Sequence, residues 1–425
     1  MPDLAGGLRG KWITRNKLEK AFNGGLKLPV STLAFDVWGR DPEEWVFQSG
    51  DADGVCAGDI RTLAASPWLK RPTGQLLASI NDVDGSLCGY DPRNIVQALM
   101  TRFDALGLTP VLASEMEFSL FKGVDQVTGV PNHSQAAISE GLLHAGQTYG
   151  LEAMDDVSEL MHDIRDAAEI QNLAVDTLIK EAGQSQYEIN LLHCDNALQA
   201  ADHALMLRRV IKGVAKSHGL SASFMAKPFG DQAGNGMHIH CSLLNADGNN
   251  AFNNGTDQGN ELLRQAVAGC LEGMRDSMLL FAPNLNSYRR FQPGNHAPLS
   301  PSWGYENRTT SVRIPADKQE AMRLEHRVSG ADANIYLVVA GVLAGMLQGI
   351  ERTLDAPDAV TGNAYDLFPP SLPRYWPDAL ACFKESAFIK DYLGGEFQSA
   401  FAGLKQQEME TFDQLVTPLE YRCGI

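Results

Sequence analysis

Two stretches far apart in the chain set charged groups at every second residue of strand-like sequence: Ser114-Glu115-Met116-Glu117-Phe118 and Arg323-Leu324-Glu325-His326-Arg327. Successive side chains of a strand point to opposite faces. Glu115 and Glu117 therefore share one face, while Leu112, Ser114, Met116 and Phe118 take the other. The second stretch aims Arg323, Glu325 and Arg327 to one side in the same way. A folded chain rarely buries such a row unless ions compensate the charge. The fold must therefore give one sheet an ionic face and an apolar face, which is the pattern of an enzyme site.

Two further stretches repeat the pattern. Gln186–Leu191 alternates around Glu188, with Glu181 just upstream, and Met237–Leu243 carries His238, His240 and Ser242 on one side. For any one strand a solvated sheet face is an equally good reading; four such strands with apolar partners opposite argue for convergence. Five carboxylates (Glu115, Glu117, Glu181, Glu188 and Glu325) cannot all stay ionised in one place, because like charges raise each other's pKa. Divalent ions remove the conflict, and carboxylate oxygens with an imidazole suit Mg2+ or Mn2+. The rival reading of His238 and His240 is a zinc pair, but no thiolate or third histidine has matching spacing nearby.

Cations in turn point to phosphate. Arg290, Arg308, Arg313, Arg323 and Arg327 cluster in a chain that is acidic elsewhere. Guanidinium forks pair bidentately with carboxylate and phosphate oxygens. Surface salt bridging is the plainer reading of any single one. Gly6-Gly7-Leu8-Arg9-Gly10-Lys11-Trp12 lacks the first glycine and the Ser/Thr of a P-loop. Gly234-Asn235-Gly236 either lets backbone approach a ligand before His238 or merely makes a turn.

Bulk properties narrow the class. A net charge of -17 argues against nucleic acid as the main partner. The seven cysteines include no CxxC pair, which favours a reducing compartment. Met1–Gly7 has no apolar core and does not read as a signal peptide. Ile335–Ile350 is short for a membrane span and carries Gln348, so it reads as a buried helix. The expectation is a cytoplasmic protein without a membrane partner.

The first ~90 residues, rich in Gly, Asp and Pro, suit a small sheet domain with long loops. Asp91 followed by Pro92 marks a helix start, with Ile95, Leu99, Phe103 and Leu106 on one face, and the domain boundary falls just before it. A strand over Val111–Phe121 follows, then a helix with Val157, Leu160, Met161, Ile164 and Ala168 on one face, and a helix over Asp202–His218 stopped by Gly219. Asp247-Gly248 offers a tight turn after the histidine strand. The fold class is α+β, with helices packed on a largely antiparallel sheet.

With these residues assembled, the chain resembles the glutamine synthetase family from about Lys11 to its C-terminus. Besides the Glu115 and Arg323 stretches, the likeness rests on Lys227-Pro228-Phe229, on Gly234 to Leu243, and on Asn307-Arg308-Thr309-Thr310-Ser311-Val312-Arg313-Ile314-Pro315. The resemblance implies a β-grasp domain over 1–90 and a catalytic domain over 91–425, the latter an antiparallel half-barrel sheet with helices. It also implies ATP and two or three Mg2+ or Mn2+ ions. The assembly would be a homo-oligomer of stacked rings, a dodecamer or decamer, with active sites between subunits.

By position, Glu117, Glu181 and Glu188 resemble ligands of the ion beside the substrate carboxyl. Glu115, His238 and Glu325 resemble those of the ion bridging the nucleotide phosphates. Arg290, Arg327 and Gly234 look like the glutamate-binding set, and Arg308 and Arg313 like the groups facing the transferred phosphoryl. His240, Ser242 and Arg323 match nucleotide contacts. The implied chemistry phosphorylates the glutamate side chain and then lets an amine displace the phosphate.

Ammonia-using members carry Gly-Tyr-Glu-Ala-Pro in the flap after the Arg290 position, where this chain has Gly294-Asn295-His296-Ala297-Pro298. His296 binds a cation less well than a carboxylate but still serves as a base near neutral pH. Ser287 to Pro293, Ser302-Trp303-Gly304 and Arg327 to Asn334 are similar to the γ-glutamylpolyamine (γ-glutamylputrescine) synthetase branch. The expectation is thus a polyamine such as putrescine, or another organic amine, as the acceptor. The alternatives are an ammonia-using glutamine synthetase and a catalytically silent homologue. Ala233, where many relatives have asparagine, and Gln184-Ser185-Gln186 in place of Pro-Gly-Gln depart from the pattern. Asp36 and Tyr149 align loosely with the amine pocket, and whether Tyr365 is a modification site stays open.

Overall fold

The computed structural model describes residues 1–42, 50–126, 129–134, 148–292 and 297–423. In chain order the strands are β1 Lys27–Pro29, β2 Asp53–Gly58, β3 Ala64–Ala65, β4 Gly74–Gln75, β5 Ala78–Asn81, β6 Thr109–Val124 and β7 Pro131–His133. They continue with β8 Val175–Lys180, β9 Gln186–Leu191, β10 Ser221–Ser223, β11 Met237–Leu244, β12 Trp303–Tyr305, β13 Val312–Ile314 and β14 Leu324–His326. The order β1-β2-β5 forms a small antiparallel sheet ahead of the helix Pro92–Ala105, with β3 and β4 as a separate pair. The main sheet has nine described strands, ordered β12-β13-β14-β11-β6-β9-β8, with β7 and β10 both on the far end of β6. Among the described strands, only the β12–β13 pairing is parallel. This is the α+β, mainly antiparallel architecture that the strand patterns imply.

The apolar face of this sheet explains where the core lies. Met116, Phe118, Tyr187, Ile189, Met237, Ile239, Cys241 and Leu324 are all buried. The helices Pro92–Ala105 and Ala197–Ser217 pack behind β6. Asp91 caps the first of these, accepting from the Arg93 amide, and Pro92 stands at its first position. Ile95, Leu99 and Phe103 are buried, but Leu106 at the C-cap is 44% exposed because the helix ends before its face turns inward. The second helix begins at Ala197, earlier than the apolar spacing indicates, because Asn196 caps it through the Gln199 amide. Apolar periodicity does not report a polar cap.

Ile335–Glu351 is a buried helix, and among the described residues no helix is long and apolar enough to cross a membrane. It lies against the helix Glu261–Glu272 at backbone contact. A Cβ on Gly349 would fall 1.8 Å from the Gln265 carbonyl oxygen, and one on Gly269 would fall 2.0 Å from that of Gly345. Asp247-Gly248 makes the turn, with Gly248 at φ 78° and its amide donating to the Asn245 carbonyl.

Candidate active site

Register decides which charged groups meet. Glu117 stands opposite Glu188 across β6–β9, and Glu115 opposite His238 across β6–β11. His240 pairs with Glu325 across β11–β14, and Glu325 with Arg313 across β13–β14. The four polar rows seen in the sequence therefore lie on one face of one sheet, from β9 through β13. Directly opposed residues bring their side chains within contact range.

The contacts bear this out. Glu115 lies 2.9 Å from His238 Nδ1 and 2.8 Å from His240 Nε2 through its two oxygens. Glu325 accepts from Arg313 Nη1 at 2.9 Å and closely from Arg327, and sits 3.7 Å from His238. Arg323 Nε lies 3.2 Å from His240 Nδ1. Ser242 follows on the same face of β11 and is half-buried. Glu117 accepts from Gln186 Nε2 at 2.9 Å and from the Gly236 amide at 2.8 Å, through one oxygen. Arg290 is buried beside Gly234, where a Cβ would lie 2.7 Å from Arg290 Cγ, and donates to the Val328 carbonyl at 2.9 Å.

Charge is unevenly distributed across this face. At the β14 side, burial would raise the carboxyls of Glu115 and Glu325. The hydrogen bonds of His238 and His240 outweigh it at Glu115, and the Arg327 charge, then the imidazoles, outweigh it at Glu325. At the β9 side, burial and the neighbouring carboxylates push Glu188 well above the carboxylate range. Burial, then the Glu117 charge, brings Glu181 up to about 7. Among the described residues no cationic side chain forms an ion pair with Glu117, Glu181 or Glu188.

This imbalance is what a bound cation would relieve. Ligand atoms of Glu115, Glu188 and His238 lie within 4.8 Å of one another, as do those of Glu115, His240 and Glu325. The donor set is carboxylate oxygen with imidazole and no thiolate, which fits a hard divalent ion. The two triads cut across the ligand sets implied by resemblance, with Glu115 common to both.

Other expected residues fall as follows. Arg308 is exposed and forms no hydrogen bond or ion pair among the described residues. His296 lies outside the described residues. Tyr149 is exposed at φ 63° and donates its amide to the Lys180 carbonyl, one residue from Glu181. Tyr365 donates to the Ala297 carbonyl at 3.2 Å, at the end of the flap. Asp36 is buried and tied to Arg40 at 2.6 Å and to Gln407 at 3.0 Å, so local bonds hold its carboxylate. Sequence reasoning missed strand β8, which precedes Glu181. It also gave Gln186 no role of its own, since it reads as an ordinary polar strand residue until its partners are seen.

Comparison with known proteins gives the family. The model of the glutamine synthetase catalytic domain matches residues 89–423, and the chain belongs to the glutamine synthetase family. It is a carbon–nitrogen ligase of the glutamate–amine type. Among curated relatives, it is 36% identical to the γ-glutamylputrescine synthetase PuuA of Escherichia coli (strain K12), over 99% of this chain and 89% of that protein. It is 32% identical to the γ-glutamylethanolamide synthetase GlnA4 of Streptomyces coelicolor (strain ATCC BAA-471 / A3(2) / M145), over 99% of this chain and 90% of that one. Among solved structures, ligand-free GmaS superposes with a TM-score of 0.86 at 26% identity, covering 99% of this chain and 94% of its own.

Proposed function

We propose that this ligase uses ATP to activate the γ-carboxyl of glutamate as γ-glutamyl phosphate and transfers the glutamyl group to an organic amine, with putrescine or a similar polyamine as the acceptor. The observation that carries this reading is the surplus of carboxylate at Glu117, Glu181 and Glu188, flanked by buried arginines, in a chain similar to enzymes named for γ-glutamyl amides. Mg2+ or Mn2+ bound there would neutralise phosphate charge as the phosphoryl group moves.

The chain's own residues then divide the work. Glu117, Glu181 and Glu188 would hold the cation beside the substrate carboxyl, and Glu115, His238 and Glu325 that beside the nucleotide phosphates. Arg290 and Arg327 offer buried guanidinium groups for the glutamate carboxylates, next to the Gly234 backbone. Arg313, already aimed at Glu325, and the exposed Arg308 would face the transferred phosphoryl group. His240, Ser242 and Arg323 would contact the nucleotide. An alkylamine with a pKa of about 10.4 arrives protonated, and His296 is assigned the base that removes its proton. Residues 1–90 form the β-grasp domain and 91–425 the catalytic domain of a cytoplasmic ring assembly with sites between subunits.

The test is ADP release from ATP and glutamate across ammonia, putrescine, longer polyamines and ethanolamine. A diamine should give the highest kcat/KM; ammonia as the best acceptor would overturn the acceptor assignment.

A further inference from the structure

Gln186 opens β9 and is buried, 3% exposed. Its amide nitrogen donates to Glu117 Oε2 and to the Gly234 carbonyl, each at 2.9 Å, and its amide oxygen accepts the Gly183 N–H at 2.8 Å. A primary amide has two N–H donors, and here both are used on the active-site side. The orientation is determined by three contacts at once. Turning the amide over would set oxygen against two acceptors and N–H against a donor.

The same residue closes the turn that carries Glu181. The Glu181 amide donates to the Gln186 carbonyl at 3.0 Å, and the Gln186 amide to the Gly183 carbonyl at 3.1 Å. From beneath, the buried Lys180 ammonium donates to the carbonyls of Glu181 and Gly183. Glu117 receives Gln186 and the Gly236 amide on one oxygen, Oε2, while Oε1 accepts no hydrogen bond among the described residues. One side chain thus joins the Glu181 turn, the Glu117 carboxylate and the Gly234 loop.

We propose that Gln186 is a positioning residue that couples divalent-ion binding at Glu117 and Glu181 to glutamate binding at the Gly234 loop; this rests on the ligase reading above. Two variants of similar length separate the effects. Gln186→Glu replaces donors with acceptors, and Gln186→Met removes hydrogen bonding without adding charge.

Mn2+ binding to substrate-free enzyme is read by electron paramagnetic resonance, and KM for glutamate and for ATP is read separately. Both variants should bind Mn2+ about 10–100-fold more weakly, as expected when a ligand's supporting hydrogen bond is lost. KM for glutamate should rise at least about tenfold while KM for ATP stays within about twofold, because His240 and Ser242 lie on β11 and Arg323 just before β14, away from β9. Unchanged Mn2+ affinity, or KM for ATP rising in step with that for glutamate, overturns the proposal. So does failure of both variants to fold by circular dichroism, which would make Gln186 purely structural. Wild-type enzyme that releases no ADP with glutamate and any amine would sink the ligase reading, while the Mn2+ titration still decides Gln186.

Discussion

Two partly buried clusters of charged side chains in this protein serve opposite ends. Arg93 binds Asp202 through Nε at 2.9 Å and Nη2 at 2.7 Å, and reaches Asp59 at 3.0 Å and Ser79 at 2.9 Å. Arg61 adds a second guanidinium to Asp59, and Tyr336 donates to Asp202 at 2.6 Å. Two arginines thus face two aspartates, and the charge closes on itself. This cluster rivets the small sheet to the catalytic helices. Across the main sheet, Glu117, Glu181 and Glu188 face no such partner among the described residues. A cluster that is neutral within the chain holds the fold together, while one left short of positive charge is prepared for something that comes and goes.

Removing the rivet should have the largest effect. Arg93→Ala leaves Asp202 buried and uncompensated, and unfolding by urea should show a loss of about 3–5 kcal/mol. A loss below about 1 kcal/mol would mean the cluster is not the rivet its geometry describes. Glu188→Gln should act in the opposite sense on stability. ADP release should fall at least about a hundredfold, on the order of 3 kcal/mol at the transition state. Yet the ion-free protein should gain stability, because a buried like-charge conflict disappears. If that variant instead destabilised the ion-free protein, Glu188 would belong with the rivet.

A smaller and more discriminating effect is expected from pH. The Asp59 carboxyl is held down to about 2, first by the Arg61 hydrogen bond, against burial. Its folded pKa lies below the unfolded value, so its contribution is present above about 4 and is lost only as pH falls through about 2. Glu181 lies the other way. With a folded pKa of about 7, the folded state binds the extra proton between the unfolded carboxylate range and 7, so ion-free stability falls as pH rises through that window. Mn2+ at a hundred times its Kd should restore about 2.7 kcal/mol at pH 8 and much less at pH 5. Thermal melts at the two pH values with and without Mn2+ measure this; equal rescue at both would remove Glu181 from the ion site.

How much was legible in the sequence follows from what each feature depends on. Period-two alternation around Glu115, His238 and Glu325 is local; β6 and β11 carry it as read, while β14 covers only Leu324–His326 and leaves Arg323 and Arg327 at its ends. The Asp91-Pro92 start and the apolar run from Ile335 are likewise local, and both helices are there. Strand β9 reads as alternating, but only Asn190 within it is less than fully buried, because neighbours cover both sides. Its partner β8, with exposed Asp176 and Thr177, has no such rhythm and went unseen. The Arg93 rivet joins residues 59, 93 and 202, and nothing in their local wording distinguishes them from surface charges.

The amino-acid order alone settled which residues could be ionic partners, since strand alternation depends only on the pleat of the backbone. It also settled the family, since several motifs occur together along nearly the whole chain. Tertiary structure alone decided which charges find a partner. Register put Glu117 beside Glu188, with no ion pair to either among the described residues, and the packing of helices against the small sheet put Arg93 between Asp59 and Asp202. Electrostatic energy depends on distances across strands and helices, and those distances exist only once the chain has folded.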